Sequence, residues 1–226
     1  MSDIALLGAL EVEVSDLRSH LEGRQDIEGE DRVISRGTWQ GRSLLVSAVG
    51  VGEAAAVSAA RTIVQKYPCR CLISVGCCGA LSPKMDVGHI AVGERVLRIG
   101  PGGVVASLSS DPTLVAAVTR CIREVSIPCH VGTMLTVQRG IFRPEERRRA
   151  AHRFGAVAVE MESAGLLEVG QDAGVPALAL RAVLDRREDN LEDMGLTLNR
   201  DGRLRPIGRE EEEIADPAAA VWGTPE

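Results

Sequence analysis

The sequence predicts an α/β fold, a three-layer αβα sandwich around a mixed, mostly parallel central sheet. Short apolar segments alternate along most of the chain with longer segments whose apolar residues have helical spacing. Several short segments, such as residues 71–75, are apolar almost throughout. Strands of this kind are typical of sheets that are covered by helices on both faces.

The elements of the first half of the chain are separated by glycine turns and a proline. Strands are predicted at residues 4–7, 33–39, 42–49 and 71–75, and helices at residues 11–21 and 53–67. Pro68 ends the second helix because proline cannot continue the helical hydrogen bonding. The segments Gly50-Val-Gly52 and Gly76-Cys-Cys-Gly79 are predicted to be turns, the second with positive φ.

The second half continues the alternation. Strands are predicted at residues 87–92, 95–99, 131–137, 155–159 and 177–185, and helices at residues 113–125, 144–154 and 163–173. Asp111-Pro112 marks the start of the first of these helices, since it combines an N-cap residue with a proline in the first turn.

Composition limits the classes of protein to which the chain can belong. Residues 1–190 are predicted to form one domain, and residues 191–226 a polar tail that is either mobile or lies over the surface and that contains the acidic run 210–213. Hydrophobic residues make up 45% and aromatic residues 2%, so the predicted core is aliphatic. The formal net charge of -6 argues against nucleic acid or an anionic membrane as partner. Without a signal peptide or a bilayer-spanning segment in the sequence, a cytoplasmic protein is predicted.

The sequence predicts no metal site and no bound cofactor. None of the six cysteines forms a C-x-x-C pair, and no histidine cluster accompanies them, so they are predicted to be reduced thiols. Of the histidines, His89 alone invites attention, since it follows a glycine in a predicted strand. The charged run at residues 143–149 is predicted to be a solvated helix face.

Acidic side chains stand where two predicted strands end. The segment Val159-Glu160-Met161-Glu162 joins a strand to a helix, and the strand 177–185 ends at Asp185. Carboxylates are rarely buried unless they are paired or used, and ligands of α/β sheets bind at strand ends. Both strands are therefore predicted to deliver acids to a site at one sheet edge. The turn Gly8-Ala-Leu-Glu11-Val-Glu13 has the same form, although acids also favour helix N-termini for electrostatic reasons.

The order of these segments resembles that of the nucleoside phosphorylase and nucleosidase superfamily, which includes purine nucleoside phosphorylase and 5'-methylthioadenosine/S-adenosylhomocysteine nucleosidase. The resemblance spans about residues 1–190. It rests on the segments Ile4–Val14, Ser47–Ala55, Ile73–Ala80, Val87–Val92, Val159–Ser163 and Leu180–Asp185. The resemblance implies a phosphorylase/hydrolase-like fold and a homodimer.

The resemblance also implies a role for each acid. Glu162, helped by Met161, would bind the ribose hydroxyls, and Glu160 would support it from a structural position. Asp185 would be the general acid that protonates purine N7. Glu13 would orient or deprotonate the attacking water, with Arg181 helping to hold it.

The remaining implied contacts concern the base and a phosphate. Phe142 or Ile141 would pack on the purine face. If phosphate is the co-substrate, it would be held by Gly8, by the turn that contains Cys77 and Gly79, and by Arg181.

Three positions depart from the family pattern. Ser74 occupies the position where phosphorylases carry a phosphate-clamping arginine, which favours hydrolysis. Cys77 replaces a serine or threonine, and Leu184 replaces the serine before the catalytic aspartate. The short segment 95–111 and Asn199-Arg-Asp-Gly202-Arg look more like the hopanoid-associated branch.

The predicted function is cleavage of the N-glycosidic bond of a purine nucleoside, adenine-based, by water or phosphate. The alternatives are a strictly phosphate-dependent phosphorylase and a catalytically silent homologue that binds nucleosides. A dinucleotide-binding oxidoreductase is a further alternative that rests only on Gly50-Val-Gly52.

Overall fold

The computed structural model describes residues 3–29, 32–192, 196–198 and 204–206. The strands of the central sheet are β1 (Asp3–Gly8), β2 (Glu22–Glu28), β3 (Val33–Trp39), β4 (Arg42–Ala48), β5 (Cys69–Ser74), β6 (Cys77–Ala80), β7 (Ile90–Gly100), β8 (Gly103–Ser109), β9 (Cys129–Thr136), β10 (Ala156–Glu160) and β11 (Ala177–Asp185). The helices are α1 (Glu11–Ser19), α2 (Glu53–Lys66), α3 (Pro112–Glu124), α4 (Pro144–Phe154) and α5 (Ser163–Ala173). Strands β12 (Leu196–Leu198) and β13 (Leu204–Pro206) form a separate antiparallel pair.

The central sheet is mixed, as predicted, with the strand order β2-β3-β4-β1-β5-β11-β6-β10-β9-β7-β8. The middle of the sheet is parallel, because β1 pairs in parallel with both β4 and β5, and β11 pairs in parallel with β5 and β6. An additional antiparallel pairing joins β7 to β11. The strands β11, β6, β10, β9 and β7 therefore close on themselves, and this closed part of the sheet contains the candidate site.

Helices cover both faces of the sheet, which confirms the three-layer prediction. Alternate residues of β1 point in opposite directions. Ala5 and Leu7 belong to a core cluster with the α2 alanines, while Ile4 and Leu6 pack with Val14 of α1. The first and second helices thus lie against opposite faces of the same strand.

Small residues allow α2 and α5 to approach closely. Ala56, Ala59 and Ala60 of α2 are completely buried. A Cβ atom added at Gly165 of α5 would stand 2.6 Å from the Cγ2 atom of Val57 and 2.6 Å from the Cγ atom of Glu53. This contact sets the position of α5, whose N-cap residue is Glu162.

The helices agree with the sequence better than the strands do. α4 and α5 have the predicted bounds, and Asp111 caps α3 by accepting hydrogen bonds from the backbone N–H groups of Thr113 and Leu114. The two strands predicted at residues 87–99 are one strand, β7. The strands β2 and β8, which form the two edges of the sheet, were not predicted. β2 is polar and lacks apolar alternation.

The predicted turn at residues 76–79 is wrong in extent. Gly76 alone has an unusual conformation, with φ of 136°, and β6 begins at the next residue. Ala182 and Val183 of β11 pair with Cys77 and Cys78, so this segment is part of the sheet.

Most of the predicted C-terminal tail, including residues 199–203 and the acidic run 210–213, lies outside the described residues. Within the described part of the chain, no helix is long and apolar enough to cross a membrane.

The close approach of α2 and α5 predicts the effect of Gly165→Ala. Because the added methyl group would overlap Val57 and Glu53, we expect the variant to lose about 1–3 kcal/mol of unfolding free energy. Urea denaturation measures this loss. The matched control is Gln171→Ala on the exposed side of α5, which should stay within about 0.5 kcal/mol of the parent protein. Equal stability of both variants would contradict the packing described for α5.

Candidate active site

The two acid-bearing strands, β10 and β11, reach the same region of the sheet from opposite directions. β6 runs parallel to β11 and antiparallel to β10, so β10 and β11 run in opposite directions. Val159 of β10 and Asp185 of β11 nevertheless pair with the same residue of β6, Gly79, so the acid-bearing ends of the two strands lie at one level of the sheet. The acids still share one region because β6 passes between the two strands.

Arg181 and Glu160 form a buried ion pair at the centre of this region. The two residues are only 2% and 5% exposed, respectively. The Nη2 atom of Arg181 lies 2.7 Å from the Oε2 atom of Glu160 and donates at 2.7 Å to the hydroxyl of Ser74. Its Nη1 atom donates to the carbonyl of Val75. The guanidinium is thus held by β5 and β10 as well as by its own strand.

Glu160 holds the beginning of α5. Its Oε2 atom accepts hydrogen bonds from the backbone N–H groups of Glu162 at 2.9 Å and Ser163 at 2.8 Å, and its Oε1 atom accepts from the Thr136 hydroxyl. Burial raises the pKa of Glu160, but Arg181 and these donors outweigh it, and the pKa lies below its usual range. Glu160 is therefore an ionised carboxylate that is occupied by protein donors.

Glu162 lies beside this pair in a different environment. Its Oε1 atom accepts a hydrogen bond of 2.8 Å from the backbone N–H of Gly52, which precedes α2. Its Oε2 atom is 3.5 Å from the Nη2 atom of Arg181, a much weaker contact than that of Glu160. Burial, together with the charge of Glu160, raises the pKa of Glu162 to about 7. One oxygen of Glu162 therefore remains for a ligand.

Glu13 joins the start of α1 to the start of β6. Its Oε2 atom accepts from the backbone N–H of Leu10 at 2.8 Å, and its Oε1 atom accepts from the backbone N–H of Cys77 at 2.8 Å. A Cβ atom at Gly76 would stand 2.6 Å from Oε1, and one at Gly8 would stand 3.4 Å from Oε2. Glycine at position 76 therefore leaves space for the carboxylate, whereas a Cβ atom at Gly8 would overlap mainly with Val14, whose Cγ1 atom would be 2.7 Å away.

Asp185 forms an ion pair with Arg147 of α4, the Nη1 atom of Arg147 facing the Oδ1 atom of Asp185. The side chain of Asp185 is 14% exposed and that of Arg147 is 2% exposed. Burial raises the pKa of Asp185, an effect that Arg147 opposes and the nearby Asp189 reinforces. Gly79 lies next to this pair, since a Cβ atom there would be 3.0 Å from Oδ1.

The charged run of α4 is only partly a solvated face, so that prediction needs correction. Arg148 and Arg143 form exposed ion pairs with Glu188 and Glu192, as predicted for a solvated face. Arg147 and Glu146 are buried. The sequence contained one weak signal of this, since Arg147 shares a helix face with Ala150 and Ala151.

The residues predicted to lie near the base, the ribose or a phosphate have mixed positions. Ile141 is 4% exposed and belongs to a core cluster, and its carbonyl accepts a hydrogen bond from the Nε atom of Arg147. Phe142 and Met161 are half-buried. The Cys77 side chain is half-buried beside Glu13, and burial raises the pKa of its thiol.

No group of three histidine, cysteine or acidic side chains in the described part of the chain could hold a metal ion. The six cysteines are free thiols. His89 stacks on His130, and the Nδ1 atom of His89 lies 3.1 Å from the Nε2 atom of His130. His89 takes no part in the acid cluster.

Comparison with known proteins establishes the family. A family model described as "Phosphorylase superfamily" matches residues 3–203. The chain belongs to this superfamily.

Several enzymes of known structure have the same fold as this chain. The 5'-methylthioadenosine/S-adenosylhomocysteine nucleosidase of Neisseria meningitidis, solved with methylthio-immucillin-A, is 22% identical with a TM-score of 0.79, over 85% of this chain and 90% of that one. Futalosine hydrolase of Helicobacter pylori is 20% identical with a TM-score of 0.78, over 85% and 88% of the two chains. The S-adenosylhomocysteine nucleosidase of Streptococcus pyogenes is 21% identical with a TM-score of 0.77, over 84% and 87%.

Several contacts of the site were not found from the sequence. They are the backbone N–H of Gly52, the hydroxyls of Thr136 and Ser163, and the guanidinium of Arg147. The two hydroxyls have no sequence signal, because the partners Glu160 and Arg181 of Thr136 and Ser163 are distant along the chain.

The buried pair predicts a large stability cost for Arg181→Met. Removal of the guanidinium would leave Glu160 as an uncompensated buried charge, so we expect a loss of about 3–5 kcal/mol in the free energy of unfolding. Chemical denaturation of the two proteins measures it. The control is Arg148→Met, which removes an exposed pair with Glu188 and should cost less than about 1 kcal/mol. Similar losses in both variants would contradict the role given to Arg181.

Proposed function

We propose that this protein cleaves the N-glycosidic bond of a purine nucleoside, adenine-based, with water as the nucleophile. The observation that carries the proposal is the arrangement of three carboxylates in three environments. Glu162 has one oxygen whose protein contact is a weak one of 3.5 Å to Arg181, Asp185 has a raised pKa, and Glu13 is fixed between two backbone N–H groups. These environments match the three tasks of the reaction.

The sugar-binding task suits Glu162. The Gly52 N–H fixes Oε1, which orients the carboxylate and leaves Oε2 with only a weak contact to Arg181. A carboxylate oxygen can accept hydrogen bonds from two vicinal hydroxyls, and such charge-assisted bonds are strong. Met161, half-buried beside it, would cover the ribose.

The leaving-group task suits Asp185. A carboxyl group whose pKa is raised by burial can hold a proton and give it to purine N7. The bond between N9 and C1' then breaks, its electrons move to the neutral base, and the sugar becomes oxocarbenium-like. Phe142 and Ile141 remain the proposed neighbours of the purine ring.

The nucleophile task suits Glu13 and water better than phosphate. Glu13 would repel a phosphate anion, whereas it can accept a proton from water. The Nη1 and Nη2 atoms of Arg181 are hydrogen-bonded to Val75, Ser74 and Glu160, so both ends of the guanidinium are occupied by the protein, and its Nε atom is buried. This occupation supports hydrolysis over phosphorolysis. The homodimer and the cytoplasmic location remain predictions from the sequence.

The proposal predicts base release without phosphate. The purified protein is incubated with adenosine, inosine, 5'-methylthioadenosine and S-adenosylhomocysteine, with and without phosphate, and the free base is measured by chromatography. We expect release from at least one adenine nucleoside at a rate that phosphate does not increase.

Each other outcome of this assay identifies an alternative. Release of the base only in the presence of phosphate would make the protein a phosphorylase. Binding of a nucleoside, measured by calorimetry, without release of its base would make the protein a catalytically silent homologue for these nucleosides. In an active protein, Asp185→Asn should lower kcat by about 10²–10⁴-fold. An active Asp185→Asn variant would remove Asp185 from the mechanism.

The raised pKa of Glu162 predicts the pH dependence of kcat/KM. The carboxylate accepts the ribose hydroxyls when it is ionised, which is the case above a pKa of about 7. We therefore expect kcat/KM to fall as the pH falls below about 7, because kcat/KM reports ionisation in the free enzyme. Glu162→Gln should have a low kcat/KM without this acid limb. The control Glu124→Gln, at an exposed position of α3, should still show the fall in kcat/KM below about pH 7. If this fall persists in Glu162→Gln, it is due to the ionisation of another group.

A further inference from the structure

Arg147 is a buried cation that the three tasks above do not use. It lies in the first turns of α4 and is only 1% exposed. A guanidinium in the interior is costly unless its donors and its charge are both satisfied. Its contacts therefore indicate why the fold keeps it there.

Two backbone carbonyls fix the plane of the guanidinium. The Nε atom donates to the carbonyl of Ile141 at 2.9 Å, and the Nη1 atom donates to the carbonyl of Arg186 at 2.6 Å. One of these carbonyls precedes α4 and the other follows β11. With both held, the Nη1 atom reaches the Oδ1 atom of Asp185 and has little freedom to turn away.

We propose that Arg147 is the positioning residue of Asp185: it pins the Oδ1 atom and so presents the Oδ2 atom to the nucleobase. The proposal rests on the proposed function, since it assigns how the general acid is oriented. The proton on Oδ2 moves to purine N7, the bond between N9 and C1' breaks, and its electron pair goes to the base. Water bonds to C1' and its proton goes to Glu13. Asp185 is left as a carboxylate, which the adjacent guanidinium stabilises.

The charges around Asp185 show why a cation is needed at this point. Asp189, from the segment after β11, acts on Asp185 with a negative charge. The Cys77 and Cys78 thiols of β6 are kept neutral by burial, which raises the pKa of each. Arg186 is exposed and pairs with Asp86. Arg147 of α4 is the cation that opposes burial and Asp189, so it makes Asp185 a stronger acid.

The test compares the wild-type protein with Arg147→Met and Arg147→Lys. Activity requires a protonated Asp185 and therefore falls as the pH rises through its ionisation. In Arg147→Met we expect this falling limb of kcat to move to higher pH by about one unit or more. In Arg147→Lys the positive charge remains, but the hydrogen bonds to the carbonyls of Ile141 and Arg186 are lost. The falling limb should therefore stay at the wild-type pH, while kcat falls by about 10²-fold.

A second measurement needs no turnover and remains informative if the protein releases no base. A ¹³C NMR titration of the Asp185 carboxyl carbon should show its ionisation at higher pH in Arg147→Met than in wild type. Arg148→Met, which breaks an exposed pair with Glu188, is the control and should titrate as wild type does. If Arg147→Met fails to fold, the kcat of Arg147→Lys relative to that of the wild type tests the proposal.

Two results would overturn the proposal. The first is an Asp185 titration that does not move in Arg147→Met, whatever the activity of the protein. The second is an Arg147→Lys variant with the kcat and KM of the wild type. An inactive wild-type protein in which the Asp185 titration still moves would instead sink the proposed function, leaving Arg147 as the residue that orients this carboxyl.

Discussion

The buried ion pair between Arg181 and Glu160 is the interaction on which the rest of the site depends. It joins the middle of β11 to the end of β10 and reaches Ser74 at the end of β5. Through the same Oε2 atom, Glu160 accepts the first backbone N–H groups of α5. The position of Glu162, which is the N-cap residue of that helix, is therefore fixed by the charge pair of Arg181 and Glu160.

Two neighbouring carboxylates acquire different properties from this arrangement. Arg181 lies 2.7 Å from an oxygen of Glu160 and 3.5 Å from one of Glu162. Burial raises the pKa of Glu162 to about 7 and the charge of Glu160 adds to the rise, whereas the nearer guanidinium keeps Glu160 ionised. The same principle acts on Asp185, where burial raises the pKa and Arg147 opposes the rise. Similar side chains thus support different chemical tasks.

Local sequence signals were sufficient for the helices of the second half and insufficient at the sheet edges. α4 ends at Gly155, whose φ of 61° is easily adopted by glycine, and α3 begins at the Asp111 cap. Such signals lie within a few residues of the element they bound. β2 has none, because its polar residues form a strand only through backbone pairing with β3.

The sequence by itself determined the fold class, most helix bounds and the residues of the acid cluster, because periodicity, caps and strand-end carboxylates are local properties of the chain. Only the tertiary structure decided the partners of each acid. The N–H of Gly52 meets Glu162 across 110 residues, and the N–H of Cys77 meets Glu13 across 64. Arg147 looked like one of several solvated arginines until strand order and helix packing placed it against Asp185. Long-range packing sets burial and charge proximity, and these two quantities, which no local pattern contains, decide which carboxylate is structural and which faces a ligand.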